Sequence, residues 1–239
     1  MLLSCSADRG IIVWAWSAEV NKYLPTLCIV KELKANLDAS WNPRGDKFCI
    51  GSSSGHVYIG TYNADLQFWV AHSQTDDPPR GKPLHKDSVM SVKFDPGSGR
   101  VCASASADGH VIITSAYDPD LDKDGEGPFA GVTAEAGEVL FKFKSSCWNN
   151  TCAFSPSGQT LAFASHDCEM HFIEFTPEIV SSGSKPSSKK VIYDGKPILN
   201  GCFIRDDAYI GCGFDNAPML FKKEGGNWAF KGSIDPGHS

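Results

Sequence analysis

The chain has 239 residues, 41% of them hydrophobic and 21% charged, which is the composition of an ordinary globular protein. The length suits one large domain or two small ones, and the composition excludes fibrous and disordered classes. Acidic residues outnumber basic ones by 28 to 22, so no basic surface for nucleic acid is predicted. The longest apolar runs fall short of the roughly 18 residues that span a bilayer, so no membrane contact is predicted either.

The amino-terminal segment and the cysteines favour a reducing compartment. Residues 1–6 have no basic region and only a short apolar run, so they do not resemble a secretory signal, and a cytosolic or nuclear protein is expected. The chain has nine cysteines, an odd number. Six of them lie in apolar, strand-like runs and are expected to be reduced and buried: Cys5, Cys49, Cys102, Cys152, Cys202 and Cys212. A zinc site at Cys168 and His171 is the alternative, but the pair has no second pair of ligands, so no metal site is predicted.

In chain order, the sequence repeats one unit five times at a spacing of about 50 residues. The repeats align on one turn position, held by Asp8, Ser54, Asp108, Asp167 and Asp215. Small residues stand two positions earlier, at Ser6, Ser52, Ser106, Ser165 and Gly213. Apolar residues stand three and five positions later, at Ile11 and Val13, Val57 and Ile59, Val111 and Ile113, Met170 and Phe172, and Pro218 and Leu220. This alternation is typical of a strand with one buried face.

A second shared position precedes the turn in four repeats and holds Trp41, Phe94, Phe154 or Phe203. Three of these aromatic residues lead into a turn with Pro and Gly, so each repeat reads as strand, turn, strand, tight Asp turn and strand, followed by a variable segment. Such a unit is typical of a blade of a WD-repeat β-propeller, and we therefore predict an all-β propeller fold in a single region spanning 1–239.

One histidine is expected to support the Asp turn of its own blade. His85 precedes the strand that begins near Val89, and we predict a buried network of His85, Ser104 or Ser106, and Asp108. A catalytic Ser-His-Asp triad is the alternative, but the chain has no Gly-x-Ser-x-Gly elbow and the repeat accounts for all three positions. Ser165, His166 and Asp167 are excluded as a triad because successive strand side chains point to opposite faces.

Three spacers separate the blades. The segment from Gln74 to Pro83 is expected to be an irregular surface loop, and the acidic insertion 118–137 a solvated loop with a role in partner contact. Residues 120–125 resemble the start of a calcium loop, but the twelfth position is Gly131 instead of Glu, so calcium is not predicted. The Ser-, Gly- and Lys-rich stretch 181–190 is expected to be a flexible spacer.

The repeats do not fill a closed ring. Only seven residues precede Asp8, so the first repeat starts at its second strand, while Asn227 to Gly232 reads as the outer strand of a blade whose other strands are absent. The count is about four and a half blades, although a five-bladed closure stays open as an alternative. An open arc exposes apolar blade faces, so we expect the chain to be part of a larger propeller or to need a partner at both ends.

Several motifs, in this order and spacing, resemble the WD-repeat subunits of the actin-related protein 2/3 (Arp2/3) complex, a family of seven-bladed propellers. The resemblance covers about Leu2 to Pro236 and includes the acidic insertion, which is not a general feature of such repeats. The matching motifs are Trp41-Asn42-Pro43, Gln67-Phe68-Trp69-Val70, Ser145-Ser146-Cys147-Trp148, Phe154-Ser155-Pro156-Ser157-Gly158 and Gly213-Phe214-Asp215-Asn216-Ala217-Pro218-Met219-Leu220-Phe221.

The resemblance implies a non-catalytic structural subunit in an assembly that nucleates branched actin filaments. Its expected partners are the other Arp2/3 subunits, the actin filament and nucleation-promoting factors, in the cytoplasm and actin cytoskeleton. Relative to the family, the first blade, the inner part of the second, and the last blade with its preceding insertion are missing. No catalytic, cofactor-binding or metal-binding residue is predicted.

Two other functions stay open on the sequence alone. One is a WD-repeat scaffold or adaptor in a different assembly. The other is a propeller enzyme with metal ligands around its central channel, which the apolar inner-strand residues Ala39, Val92 and Cys152 disfavour. The aromatic pairs Phe68 with Trp69 and Trp228 with Phe230 are expected to pack outer strands, unless an exposed indole makes one a contact site.

Overall fold

A computed structural model describes residues 1–75 and 81–235, and nearly all of their regular secondary structure is β-strand. Part of the predicted loop from Gln74 to Pro83 therefore lies outside the described residues. The first sheet has the strand order β1-β2-β3-β7-β6-β5-β4. Its strands are β1 Leu2–Cys5, β2 Ile11–Ser17, β3 Lys22–Val30, β4 Asn36–Trp41, β5 Lys47–Ser52, β6 Val57–Asn63 and β7 Phe68–Ser73.

Three further sheets of four antiparallel strands follow in chain order within the described residues. The second sheet contains β8 Val89–Phe94, β9 Val101–Ser106, β10 His110–Ser115 and β11 Val139–Lys144. The third contains β12 Asn149–Phe154, β13 Thr160–Ser165, β14 Glu169–Glu174 and β15 Ser187–Ile192, with the helix α1 Pro177–Ser182 between its last two strands. The fourth contains β16 Ile198–Arg205, β17 Ala208–Gly213, β18 Met219–Glu224 and β19 Asn227–Ser233.

The sheets are the blades of a β-propeller, as predicted. The inner strands β4, β8, β12 and β16 pack against one another in sequence, and each blade continues outward through three more strands. Strands β1 to β3 form a further partial blade whose outer strand runs parallel to β7, with Cys28 opposite Trp69. Within the described residues this gives four complete blades and one partial blade, close to the predicted four and a half.

Apolar layers between neighbouring blades form the core. Ile11 and Val13 of the partial blade meet Phe48 and Trp69 of the next one, and similar clusters fill the other three gaps. The middle strands β5, β9 and β13 are buried along their whole length because a blade lies on each side of them. Both indoles of the predicted outer-strand pairs are buried, Trp69 and Trp228 each at 6% exposure, which confirms their packing role. The prediction was wrong for Phe68, which is 46% exposed because it points to the opposite face of β7 from Trp69.

Two sequence predictions for the last blade were wrong. The segment beginning at Asn227 is an outer strand, as predicted, but the other strands of its blade are present as β16 to β18, because β19 pairs along the length of β18. The buried residues of β18 are Met219 and Phe221, not Pro218 and Leu220. The turn between the paired residues Gly211 and Met219 is longer than the turn between the equivalent pair, Ala105 and Val111. The longer turn changes which positions of β18 face the core.

The acidic insertion 118–137 is not simply a solvated loop, which corrects the sequence prediction. Phe129 is fully buried in the apolar layer between the second and third blades, where its ring lies 5.1 Å from that of Phe175. At the other end, the Asp122 carboxylate accepts a hydrogen bond of 2.6 Å from Lys47 Nζ, and it also pairs with Arg44. The insertion is therefore part of the core, and its carboxylate neutralises a lysine that is fully buried.

The predicted spacer 181–190 is also ordered into secondary structure. Its first residues end helix α1, which is capped by Thr176 and stopped by Gly183 in the left-handed conformation. Its last residues belong to β15, which pairs with β14 over six positions. The sequence pattern hid this strand because β15 is an outer strand with almost every side chain exposed, so it needs no apolar alternation.

The cysteine prediction holds for three of the six strand residues. All nine cysteines are free, and Cys49, Cys102 and Cys152 are buried as expected. Cys5 is half-buried, whereas Cys202 and Cys212 are exposed because no other sheet in the described part of the chain covers that face of the fourth blade. No helix among residues 1–75 and 81–235 has the length and apolar character needed to cross a bilayer.

The buried ion pair gives a stability prediction. Changing Asp122→Ala leaves Lys47 buried without its carboxylate, and removing one partner of such a pair costs about 3–5 kcal/mol of unfolding free energy. Urea unfolding followed by tryptophan fluorescence measures the loss. The matched control is Asp120→Ala, an exposed carboxylate in the same insertion, which is expected to stay within about 0.5 kcal/mol. Equal midpoints for the two variants would contradict the core role of the insertion.

The exposure of the thiols gives a second prediction. Burial raises the pKa of Cys152 to about 12, whereas Cys202 and Cys212 face solvent. In the native protein at pH 8, iodoacetamide is expected to modify Cys202 and Cys212 at least about ten times faster than Cys102 and Cys152. Mass spectrometry of the labelled peptides measures each rate, and unfolding in urea should make the rates similar. Fast labelling of Cys152 in the native protein would contradict the burial of this thiol between the blades.

Candidate functional site

His85, Ser104 and Asp108 form the network that the repeat predicts. His85 Nδ1 lies 3.2 Å from Asp108 Oδ2, and His85 Nε2 lies 2.8 Å from Ser104 Oγ. Ser104 is therefore the serine that contacts the histidine. Ser106 instead donates to the Asp87 carbonyl and accepts from the Asp108 N–H, so it shapes the turn.

The Asp108 carboxylate fixes the tight turn of its blade. Its oxygens accept hydrogen bonds from the backbone N–H groups of Lys86 and His110, both at 2.9 Å. Burial opposes the charged form, but the hydrogen bonds from His85 and the backbone outweigh it and hold the pKa of Asp108 well below its usual range. Asp8 makes the same kind of turn, since its Oδ1 accepts from the Gly10 N–H at 2.7 Å. The tight Asp turn that the repeat predicts is therefore present at these two residues, where the aspartate side chain caps backbone N–H groups.

The geometry of these three residues is close to that of a catalytic triad, but their burial argues against catalysis. His85 is 1% exposed and Ser104 is fully buried, so the serine Oγ has no open side for a substrate. Ser165, His166 and Asp167 do not form a triad either. Ser165 Oγ donates a hydrogen bond to the Asp167 carboxylate, while the His166 ring lies against Trp148 and Phe214.

The candidate ligands for metals are engaged elsewhere. Cys168 Sγ donates to the Gly195 carbonyl at 3.1 Å, and the His171 ring stacks on Phe163 with centroids 4.5 Å apart. In the insertion, Asp122 is held by two cationic side chains. No group of three or more His, Cys, Asp or Glu side chains is placed to share a metal ion among residues 1–75 and 81–235.

The feature that the sequence interpretation missed is a β-bulge near the start of every inner strand. The pairing register shifts by one residue in β4, β8, β12 and β16, which leaves one extra residue on the inner strand. A bulge redirects side chains locally. The extra residues, Leu37, Met90, Asn150 and Leu199, line one small cavity of about 130 Å³ at the mouth of the central channel.

We call this cavity and its rim the channel mouth. Three of the four bulge residues on the rim are apolar and open to solvent, since Leu37, Met90 and Leu199 are 41%, 40% and 46% exposed, whereas the fourth, Asn150, is polar and buried. The floor is polar and consists of the residues that follow each bulge: Asp38, Ser91, Thr151 and Asn200. Thr151 Oγ1 donates to Asn200 Oδ1 at 3.3 Å, so the floor links neighbouring blades.

Asp38 organises the floor of the channel mouth. Its Oδ2 accepts hydrogen bonds from Ser91 Oγ, from the Val92 N–H and from Lys93 Nζ at 2.8–3.1 Å. Burial disfavours the charged form of Lys93, but the Asp38 carboxylate outweighs it and the pKa of Lys93 is raised. The floor thus carries a neutralised ion pair and polar oxygens, which suits a wet protein contact better than acid–base chemistry.

A simple signal in the sequence could have located the channel mouth. The bulge residue stands four positions before the shared aromatic residue in every complete blade, as Leu37 does before Trp41 and Met90 before Phe94. Simple alternation would place Met90 on the same face as the buried Val92 and Phe94, so its exposure shows that the bulge interrupts the alternation. The sequence interpretation considered only the apolar positions two residues further on, such as Ala39 and Val92.

The network around Asp108 gives a pH prediction. The pKa of Asp108 is lower in the native protein than its value of about 3.9 in the unfolded chain. The ionised carboxylate therefore contributes its full stabilisation of the fold above about pH 3.9, and this contribution is lost as the pH falls toward the native pKa. Asp108→Asn is expected to lower the unfolding free energy at pH 7 by about 1–3 kcal/mol. The difference in unfolding free energy between Asp108→Asn and the unchanged protein should then become smaller as the pH falls below about 4.

Urea titrations at pH 7, 5 and 3 measure the effect of Asp108→Asn. The control Asp65→Asn removes an exposed carboxylate in the turn between β6 and β7 and should leave the unfolding midpoint unchanged at every pH. If the loss of unfolding free energy caused by Asp108→Asn stays constant or grows as the pH is lowered, the native pKa of Asp108 is not depressed.

Comparisons with known proteins agree with this architecture. Residues 81–115 match the family model described as WD domain, G-beta repeat. The chain is 29% identical over 96% of its length to the actin-related protein 2/3 complex subunit 1A of Arabidopsis thaliana, of which it covers 57%. It is 27% identical over 98% of its length to subunit 1A-B of Xenopus laevis and 24% identical over its full length to subunit 1 of Schizosaccharomyces pombe, covering 60% of each. These matches confirm the resemblance found from the motifs. The chain spans less than two thirds of the length of the curated relatives it matches.

Proposed function

We propose that this protein acts as a non-catalytic structural subunit of the actin-nucleating Arp2/3 complex. The observation that carries the proposal is its similarity to proteins named as subunit 1 of that complex over 96% to 100% of the chain. A stack of blades held by buried apolar layers is a rigid platform, and its variable turns and rims are the parts free to contact other proteins.

The channel mouth is the contact surface that we assign to a neighbouring subunit. Its exposed apolar residues come from three different blades and surround a polar floor, the opposite of the apolar centre and polar rim of many interfaces. A partner that fits it would place apolar side chains on Leu37, Met90 and Leu199 and a polar group or bridging water over the floor.

Filament binding, filament branching and response to nucleation-promoting factors form the finer part of the proposal. They follow from the resemblance to the Arp2/3 subunits, as does the expected cytoplasmic location in the actin cytoskeleton. The relatives are longer than this chain, which covers 57% to 60% of their length. These activities would therefore depend on the other members of the complex.

A scaffold or adaptor in another assembly is the second candidate function. The observation in its favour is that the matching family model describes a general repeat, shared by many proteins that bind unrelated partners. Co-purification from the native source distinguishes the two candidates. Recovery of the other Arp2/3 subunits in constant proportion supports the first, and a stable set of unrelated proteins would overturn it.

Charge substitution at the channel mouth tests its role in assembly. Met90→Glu and Leu199→Glu each place a carboxylate in a contact that we expect to be apolar, and should reduce recovery of the neighbouring subunit at least about tenfold. The measurement is quantitative mass spectrometry of the complex captured on a tag. Leu66→Glu is the matched control, since Leu66 is 55% exposed but lies in the turn between β6 and β7.

Circular dichroism and thermal unfolding check that each of these variants is folded. Folded Met90→Glu and Leu199→Glu proteins that recover the full complex would show that the channel mouth is not the contact surface. Such a result would leave the membership of the complex supported.

A further inference from the structure

Three aromatic side chains form a row on the face where the inner strands begin. The ring centroids of Trp148 and His166 are 5.3 Å apart, and those of His166 and Phe214 are 5.9 Å apart. Trp148 is 57% exposed and Phe214 is 47% exposed. We call these three residues the aromatic row, and its two ends present an indole and a phenyl ring to solvent.

The row is held in place by bonds that join two blades. The His166 N–H donates to the Trp148 carbonyl at 2.8 Å, which ties the loop before β12 to the turn after β13. Asn150 Nδ2 lies 3.3 Å from His166 Nδ1 and donates to the Ile198 carbonyl of the last blade at 2.9 Å. Because its central ring is fixed in this way, the row needs little ordering when a ligand binds.

Packing within the chain does not account for the exposure of this row. Trp69 and Trp228 show how the same residue type is used in the core, where each is only 6% exposed. Tryptophan is costly to expose and is enriched at the energetic centres of protein interfaces. A tryptophan that remains 57% exposed at one end of a row whose other end is a second exposed aromatic ring is therefore a candidate binding residue.

Two carboxylates lie beside the row. Asp167 and Asp215 directly follow His166 and Phe214 on their two turns. Burial raises the pKa of the Cys168 thiol, and both carboxylates raise it further, so their negative charges act on the same small area. Asp215 accepts from the Lys196 N–H at 2.5 Å and Asp167 accepts from Ser165 Oγ. Within residues 1–75 and 81–235, neither carboxylate forms an ion pair with Lys or Arg.

We propose that the aromatic row, with Asp167 and Asp215 beside it, is a docking site for a basic side chain, above all the guanidinium of an arginine on an extended segment of a partner protein. The electron-rich faces of the indole and phenyl rings attract a cation, and arginine also stacks on such rings. The carboxylates complement its charge, whereas an acidic segment would be repelled. The inference does not rest on the proposed function, because a peptide titration tests the row without any other subunit.

The experiment is a titration of the ¹⁵N-labelled chain with the peptide acetyl-Gly-Ser-Arg-Ser-Gly-amide. The indole N–H signals of the six tryptophans report binding, and the Trp148→Phe variant identifies the signal of Trp148. We expect a saturable shift confined to Trp148. The same peptide with citrulline, a neutral analogue of arginine of nearly the same shape, should bind at least about five times more weakly because it lacks the charge.

Variants test each part of the site, with the peptide shift of the remaining backbone signals as the readout. Trp148→Ala and Phe214→Leu should each weaken binding about two- to fivefold, in line with one lost cation–aromatic contact. Asp215→Asn should weaken it by a similar factor, and more at low than at high salt. Trp16→Ala is the control, because Trp16 is also 53% exposed and pairs with Tyr23, but lies on β2.

Three results would overturn the inference: no saturable shift up to about 10 mM peptide, equal binding of the arginine and citrulline peptides, or an affinity unchanged by Trp148→Ala. Tighter binding of a peptide with Glu in place of Arg would reverse the assigned chemistry. The comparison of arginine and citrulline uses the unchanged protein, so it decides the question even where a variant fails to fold.

Discussion

The burial of the middle strands β5, β9 and β13 on both faces is the constraint on which the rest of this structure depends. β9 and β13 have no exposed residue, since a blade packs on each side of them. A strand in this position cannot carry large side chains on both faces. After Val101, β9 contains only Cys, Ala and Ser, and β13 alternates Leu161 and Phe163 with small residues. One blade is therefore not a stable unit, and stability comes from each blade being covered by its neighbours.

The same constraint explains the buried polar groups. Turns and inner strands bring backbone donors and charged side chains into a nearly dry interior, where each needs a partner. Asp108 satisfies two backbone N–H groups and a histidine, and Asp122 crosses from the insertion to a fully buried Lys47. The insertion is consequently a core element as much as a loop, because it supplies both Phe129 and the carboxylate that neutralises the lysine.

Several parts of this architecture could be predicted from the aligned repeats, but the recurring bulge and several contacts that occur once could not. The Asp turns, the aromatic position of the inner strand and the His85 network follow from five aligned repeats, and each is present. The role of Asp122 was hidden because its partner Lys47 lies 75 residues away and no local pattern connects them. The strand β15 was missed because its exposed residues, such as Lys189 and Lys190, show no apolar alternation. The exposure of Cys212 was missed because alternation alone does not reveal which face of a sheet lacks a neighbour.

The candidate site shows how a regular fold yields a distinct surface. The bulge recurs in the inner strand of each complete blade, yet its extra residue is Leu, Met, Asn and Leu in turn. Where that residue is Asn150, its amide reaches His166 and the neighbouring blade instead of adding to the apolar rim. The single polar bulge thus connects the channel mouth to the aromatic row, and the two surfaces form one continuous face. Since the same bulge recurs in all four complete blades of the described residues, the identity of its extra residue is enough to make one sector of that face polar and the others apolar.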